Sequence, residues 1–177
     1  MFVLTFHNLV KQGNDMGSFN IFKNKKNDDN SQDPIKWFSG EDVGMTKAIK
    51  EAQANYDIFF KELKNESRRI IPAMTVCLIK YAFPYKDGSF EGVEHMFLSD
   101  IYIENDTVFG TLNSESFYTD IKEGTKITVD RNFVSDWLYV IDEKTYGGFT
   151  FKYMWNTFSD EEKLMYGNEP PFCWIDK

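Results

Sequence analysis

A change of hydrophobic period near residue 70 constrains this chain more than any other feature of its sequence. Between Gly44 and Lys64 the apolar residues Met45, Ile49, Ala52, Tyr56, Phe59 and Leu63 recur at alternating steps of four and three, and Ala48 and Phe60 widen the stripe. That spacing lines one face of a helix. Lys47, Lys50, Glu51, Lys61, Glu62 and Lys64 supply the opposite, polar face, and no proline interrupts the run. From Ile70 onward apolar residues alternate with polar ones, and turn signals return roughly every eight to twelve residues, as in an antiparallel meander. A single amphipathic helix followed by such a meander has one way to bury its stripe, which is to lay it on the sheet. The expected fold is therefore α+β, with one long helix packed on a curved antiparallel sheet of about six strands.

The first strand, Ala73 to Phe83, is apolar on both faces and is expected to be central and covered by the helix. Pro84-Tyr85-Lys86-Asp87-Gly88-Ser89 supplies turn chemistry. Strands from Glu94 to Glu104 and from Thr107 to Leu112 are expected to meet through a tight turn at Asn105-Asp106. Three more follow, at Lys126 to Asp130, Phe133 to Asp142 and Gly148 to Met154. Ser159-Asp160-Glu161-Glu162 is a capping-box pattern that opens a short helix to Tyr166, and Pro170-Pro171 ends regular structure.

A chain of 177 residues suits one domain with tails. Residues 23–33 contain no apolar side chain and read as a solvated linker. Residues 1–33 are accordingly expected to be a poorly ordered extension, and 34–177 a single α+β domain. Met16-Gly17-Ser18-Phe19 reads as the expected native start, although Ile21 stands where a myristoylation motif needs Ser or Thr. Cys77 and Cys173 form no CxxC pair and accompany no histidine cluster, so neither a zinc site nor a disulfide framework is expected. Acidic residues outnumber basic ones 28 to 20, for a net charge of -8. That balance argues against nucleic acid and for a basic protein partner. No run has the length of a membrane span and no signal-peptide core is present, so a cytoplasmic protein is expected.

Two positions are candidates for chemistry. Glu94-His95-Met96 opens a strand, with His95 sharing the side of Phe97, Ile101 and Ile103 while Glu94 points to the other face. A histidine on an apolar face is ordinarily a hydrogen-bonded core residue; if the chain is an enzyme, the candidate catalytic residues are Glu94, His95 and Asp136. Asp136 lies in register with Val134, Leu138 and Val140 and points at the core unless a bulge re-aims it. Buried there, it needs backbone N–H groups, Ser135 or Thr150 as donors. Gly147-Gly148-Phe149-Thr150 lacks the Lys-Ser/Thr of a phosphate loop and is expected to be a hairpin turn. No cofactor or metal is expected.

The rhythm Gly124-x-x-Ile127-x-Val129, Asp136-Trp137-Leu138-Tyr139-Val140 and Gly147-Gly148-Phe149-Thr150 resembles that of small SH3-like barrels. That resemblance implies an aromatic-lined groove in the C-terminal half, with Trp137, Tyr139, Gly147, Gly148 and Thr150 as binding residues. Met45-x-x-Ala48-Ile49-x-x-Ala52, Glu94-His95-Met96-Phe97, Gly110-x-Leu112-Asn113, Gly124, Asp136-Trp137-Leu138-Tyr139 and Gly147-Gly148-Phe149-Thr150 together resemble the YegJ-like bacterial domain of unknown function. The likeness spans roughly residues 43–154, with Phe97 where the family often has Trp. It implies a small bacterial cytosolic protein with a helix on a curved antiparallel sheet, and no reaction. With no convergent acid, base and nucleophile, the leading expectation is a non-enzymatic binding module, immunity-protein-like, that recognises a protein partner. The alternatives are a small hydrolase-like enzyme at a polar site around His95 and Asp136, or a ligand pocket between helix and sheet lined by Phe59, Phe60 and Trp137. Phe172-Cys173-Trp174-Ile175 either packs back on the sheet or meets a partner.

Overall fold

A computed structural model describes residues 2–4, 36–38 and 42–175. The remainder of the expected 1–33 extension, Met16 included, lies outside the described residues. The elements are strands β1 (Phe2–Leu4) and β2 (Lys36–Phe38), helices α1 (Val43–Ala54) and α2 (Tyr56–Glu66), and strands β3 (Met74–Asp87), β4 (Phe90–Glu104), β5 (Thr107–Leu112) and β6 (Lys126–Thr128). A 3-10 turn at Arg131–Phe133 leads into β7 (Val134–Ile141) and β8 (Lys144–Gly147), followed by α3 (Phe149–Thr157) and α4 (Asp160–Tyr166). The six strands β3 to β8 form an antiparallel sheet in the order β6-β5-β4-β3-β7-β8. β1 lies parallel to β4 at Val93–His95, on the edge that β5 occupies further along, and β2 pairs with β1. Phe2–Leu4 thus belongs to the sheet, although it falls in the stretch read as an extension.

The apolar stripe from Met45 to Leu63 is helical, yet it is two helices rather than one. Asn55 ends α1, donating its side-chain amide to the Glu51 carbonyl at 2.9 Å. By offering the backbone a competing bond, it lets the chain turn before Tyr56 restarts the helix. The break gives the two halves different tasks. α2 places Phe59 and Leu63 on one face of the sheet, whereas α1 runs along the part of β7 that β8 does not reach. There Gln53 Nε2 donates to the Val134 carbonyl at 3.2 Å, so the open edge of β7 is capped by a side chain.

The C-terminal half departs from the expected barrel. Gly148 to Met154 is not a sixth closing strand: after Gly148 the chain becomes α3, and β6 and β8 end the sheet at opposite sides. The aromatics Phe149, Phe151, Tyr153 and Trp155 alternate with Thr150, Lys152 and Met154, which mimics a strand, but the backbone dictates otherwise. Gly147 and Gly148 have φ of 78° and 70°, and they lift the chain off the sheet. A Cβ on Gly147 would overlap the carbonyl oxygen of Trp137, so only glycine fits. The hairpin turn that was expected at Gly147-Gly148 occurs one strand earlier, at Asp142-Glu143, whose φ values of 49° and 62° make it a primed turn. Asn105 and Asp106, at 48° and 62°, form the matching turn between β4 and β5, as the sequence implied. The turn expected at Pro84 to Ser89 contracts to Gly88-Ser89, and Pro84 stays in β3 beyond its last pair with β7.

The sheet is therefore covered on both faces. Ile79, Tyr81, Met96, Leu98, Trp137 and Tyr139 form one core with Tyr56, Phe59 and Leu63 of α2. Leu138, Val140 and Phe97 form the other with Phe151 and Met154 of α3 and with Phe172 and Ile175. The C-terminal segment packs back on the molecule, the first of the two options the sequence left open.

Candidate functional site

A cluster of polar side chains lies buried in the second core, where β3, β4 and β7 meet α3. A bulge between the pairs Lys80↔Asp136 and Tyr81↔Val134 sends Val134 to the α2 face and leaves Asp136 on the side of Leu138 and Val140. Asp136 is fully buried. Its Oδ1 accepts from the backbone N–H of Trp137 at 2.8 Å and of Phe149 at 3.2 Å. Its Oδ2 accepts from the backbone N–H and the hydroxyl of Thr150, both at 2.7 Å. The first N–H groups of α3 would otherwise be orphaned, since its N-cap is Gly148, which has no side chain. Asp136 supplies that missing cap from the neighbouring strand, and its negative charge faces the positive end of the helix.

Lys80, directly across from Asp136 on β3, is the residue that the sequence reading missed. It is 2% exposed, its ammonium donates to Thr150 Oγ1 at 3.3 Å, and it lies 5.7 Å from the centre of the Phe151 ring. Thr150 thus accepts from Lys80 and donates to Asp136, linking the two charges through one hydroxyl. Burial lowers the Lys80 pKa to about 8, against the opposing pull of Asp136. Burial also raises the Asp136 pKa, opposed by the bonds from Thr150 and the charge of Lys80. A signal for Lys80 was present: it is the lone charged side chain in the run from Ala73 to Phe83.

His95 adjoins this cluster. It sits beside Ala82, next to Lys80 on the same face, and its Nδ1 is 2.9 Å from Ser135 Oγ. Ser135 donates its hydroxyl proton to the Lys80 carbonyl at 3.0 Å, so Nδ1 must carry the proton and donate to Ser135. Ser135, expected as a partner of Asp136, instead serves His95. Burial, followed by the charge of Lys80, lowers the His95 pKa to about 3, and the ring is neutral near pH 7. His95 and Asp136 therefore flank the same lysine, joined through Ser135, Lys80 and Thr150.

Glu94 does not join them. It points to the opposite face, where its carboxylate accepts from Ser116 Oγ at 2.6 Å and from the N–H groups of Phe117 and Tyr118 at 3.0 and 3.4 Å. It anchors the loop between β5 and β6. The divergence of Glu94 and His95 follows the strand alternation, but Ile101 and Ile103 do not stay on the His95 side. A second bulge between Ser99 and Tyr102 turns them to the core beneath α2.

The residues read as a binding groove, Trp137, Tyr139, Gly147, Gly148 and Thr150, do not line one. Trp137 and Tyr139 are buried in a stack with Phe59 and Tyr146, with centroids 5.4 Å apart for Phe59–Trp137 and 4.8 Å for Tyr139–Tyr146. Trp137 Nε1 donates to the Ala52 carbonyl at 2.9 Å. These rings fill the space between helix and sheet that a ligand pocket at Phe59, Phe60 and Trp137 would require. Among the described residues, no three His, Cys, Asp or Glu side chains are grouped as a metal ion requires, and no helix is long and apolar enough to cross a membrane.

Comparison with known proteins gives the chain a family. Residues 42–171 match the family described as "Uncharacterized protein conserved in bacteria (DUF2314)". The chain belongs to that family. Among its relatives is a putative ankyrin repeat protein of Neisseria meningitidis serogroup B, 34% identical over 131 residues that make up 73% of this chain and 51% of that protein. Another is the uncharacterized protein YegJ of Escherichia coli K12, 30% identical over 119 residues, covering 67% of this chain and 71% of YegJ. The chain thus spans about half the length of the first relative. No solved structure matches. The family match runs from the N-cap of α1 to Pro171, and so includes β3, β4, β7 and α3, which carry Lys80, His95, Asp136 and Thr150.

Proposed function

We propose that this domain is a non-enzymatic binding module that recognises a protein partner. The observation that carries the reading is the burial of its polar cluster: Lys80, His95, Ser135, Asp136 and Thr150 are at most 4% exposed, with hydrogen bonds from Lys80 to Thr150, between His95 and Ser135, and from Thr150 to Asp136. A general acid or base has to reach its substrate, and these groups hold the sheet to α3 instead. The surface, by contrast, presents large apolar side chains: Ile70 and Ile71 in one place, Leu164 and Met165 in another. Exposed apolar side chains within an acidic surface suit association with a basic protein, as an immunity protein requires. The relative named as a putative ankyrin repeat protein, half of which lies outside the match, accords with a module that works in the company of other chain segments.

The test is affinity capture of the full-length chain from its native host at low and at high salt, followed by rebinding of the purified pair. The expected result is one basic protein held near stoichiometry at low salt and released as salt rises. A chain that holds no protein at low salt refutes the reading.

A further inference from the structure

One concave surface lies far from the buried cluster in character. A cleft of about 670 Å³ opens between the start of β3, the Asp142-Glu143 turn and the C-terminal segment, with Ile71, Pro72, Val140 and Trp174 among its walls. Asp142 and Glu143 also line it, both exposed, and among the described residues no basic side chain does. Ile71 in its wall is 81% exposed, and the preceding residue, Ile70, is wholly exposed. The backbone here is already engaged: Glu66 Oε1 accepts from the N–H groups of Ala73 and Met74 at 2.9 and 3.1 Å, and Thr145 donates to the Trp174 carbonyl. These backbone groups are already satisfied, and recognition in the cleft falls to side chains. The two acids are consecutive residues of a tight turn where the chain reverses, and both line a cleft with apolar walls. Lys144, the next residue, is not among the cleft's lining and holds its ammonium 5.3 Å from the centre of the Tyr146 ring, and Arg69 is taken by Glu62 and Glu66.

We propose that this cleft is the docking site of a partner segment that sets a Lys or Arg between Asp142 and Glu143 and aliphatic side chains against Ile71 and Trp174. The proposal rests on the binding-module reading and names the surface and chemistry through which that module acts. Charge complementarity fixes the occupant: an apolar wall adjoining two carboxylates favours a basic-aliphatic segment and repels an acidic one.

The experiment selects a displayed library of random short peptides against the full-length chain, then titrates the enriched peptides into isotope-labelled protein. Enriched sequences should carry Lys or Arg beside Leu, Ile or Val, and they should shift the amides of Thr75, Asp142 and Glu143 and the indole N–H of Trp174. The double variant Asp142→Asn/Glu143→Gly removes both charges while installing the pair that a primed turn favours, so the hairpin is kept. It should weaken binding about tenfold, and Ile71→Ser should weaken it as well. Failure to enrich any peptide, enrichment without a basic residue, or unchanged affinity in the double variant overturns the proposal. Peptides that instead shift the amides of Leu164 and Met165 overturn the cleft and leave the binding-module reading standing. That reading fails separately, through the absence of a captured partner in the native host.

Discussion

Lys80 and Asp136 face each other across β3 and β7, but they depend on each other unequally. Asp136 keeps four donors if Lys80 is lost, whereas Lys80 without Asp136 is a buried ammonium beside the Thr150 hydroxyl and the Phe151 ring, with no countercharge from Asp136. Asp136→Ala is thus expected to cost about 3–5 kcal/mol, and Lys80→Met distinctly less, because a methionine of similar shape packs against Phe151 and leaves the cap of α3 intact. Urea denaturation of both variants and of the double variant checks the asymmetry; equal costs would remove Asp136 as the anchor of α3. His95 gives the same cluster a pH signature. Its folded pKa of about 3 lies below its ordinary value of 6.5, so the unfolded chain binds the proton more readily between those pH values. Stability contributed by the neutral ring is full above pH 6.5 and is lost as pH falls toward 3, with a slope of about 1.4 kcal/mol per pH unit. His95→Gln should flatten that slope, measured as the difference between the two chains' denaturation free energies from pH 7 down to pH 4.

At the scale of elements, what the sequence made legible and what it hid divide along physical lines. Strand alternation correctly separated Trp137 from Asp136 and Glu94 from His95, because period two is a property of the strand itself. Thr150 and backbone N–H groups were legible as partners for Asp136, since a buried carboxylate must find donors nearby. The bulges at Ser135 and near Asp100 were not legible, and they changed the company of Ser135, Ile101 and Ile103. Nor was the break at Asn55, which turns on one amide-to-carbonyl bond inside an unbroken apolar stripe. The largest miss was α3: alternating aromatics carry a strand signal, and the two left-handed glycines that cancel it look the same as a hairpin turn. Those glycines are not equivalent. A methyl at Gly147 meets the backbone oxygen of Trp137, whereas at Gly148 it meets Leu138 Cδ1 at 3.2 Å, the end of a side chain that can move. Both substitutions pay the left-handed cost of about 1 kcal/mol, but Gly147→Ala should add displacement of β7 and exceed Gly148→Ala by at least about 2 kcal/mol. Thermal denaturation ranks them, and an equal ranking would mean that the approach of β8 to Trp137 is looser than the geometry requires.

Across the whole molecule, a sheet buried on both faces needs two covers, and they come from opposite ends of the described domain. α2 precedes β3 and closes one side; α3, α4 and the C-terminal segment follow β8 and close the side that holds Lys80, His95 and Asp136, joined there by Met45 and Ile49 of α1. The second cover is completed beyond the family match, which ends at residue 171. Phe172 is buried with its ring 4.9 Å from that of Phe158 and 6.2 Å from that of Phe151, and Ile175 is buried against the same core. Phe151 in turn is the ring over which the Lys80 ammonium lies. Loss of the C-terminal aromatic therefore reaches the polar cluster through one intervening side chain. Phe172→Ala is expected to destabilise the chain by about 3–5 kcal/mol, and to raise the rate of hydrogen exchange at the Phe149 and Thr150 amides that Asp136 holds. A partner-facing residue at this position would behave differently: removing it would leave stability and exchange unchanged and weaken only association. Measuring urea stability, amide exchange and peptide affinity on the same Phe172→Ala protein separates the two roles, and the burial of its ring predicts that stability and exchange move first.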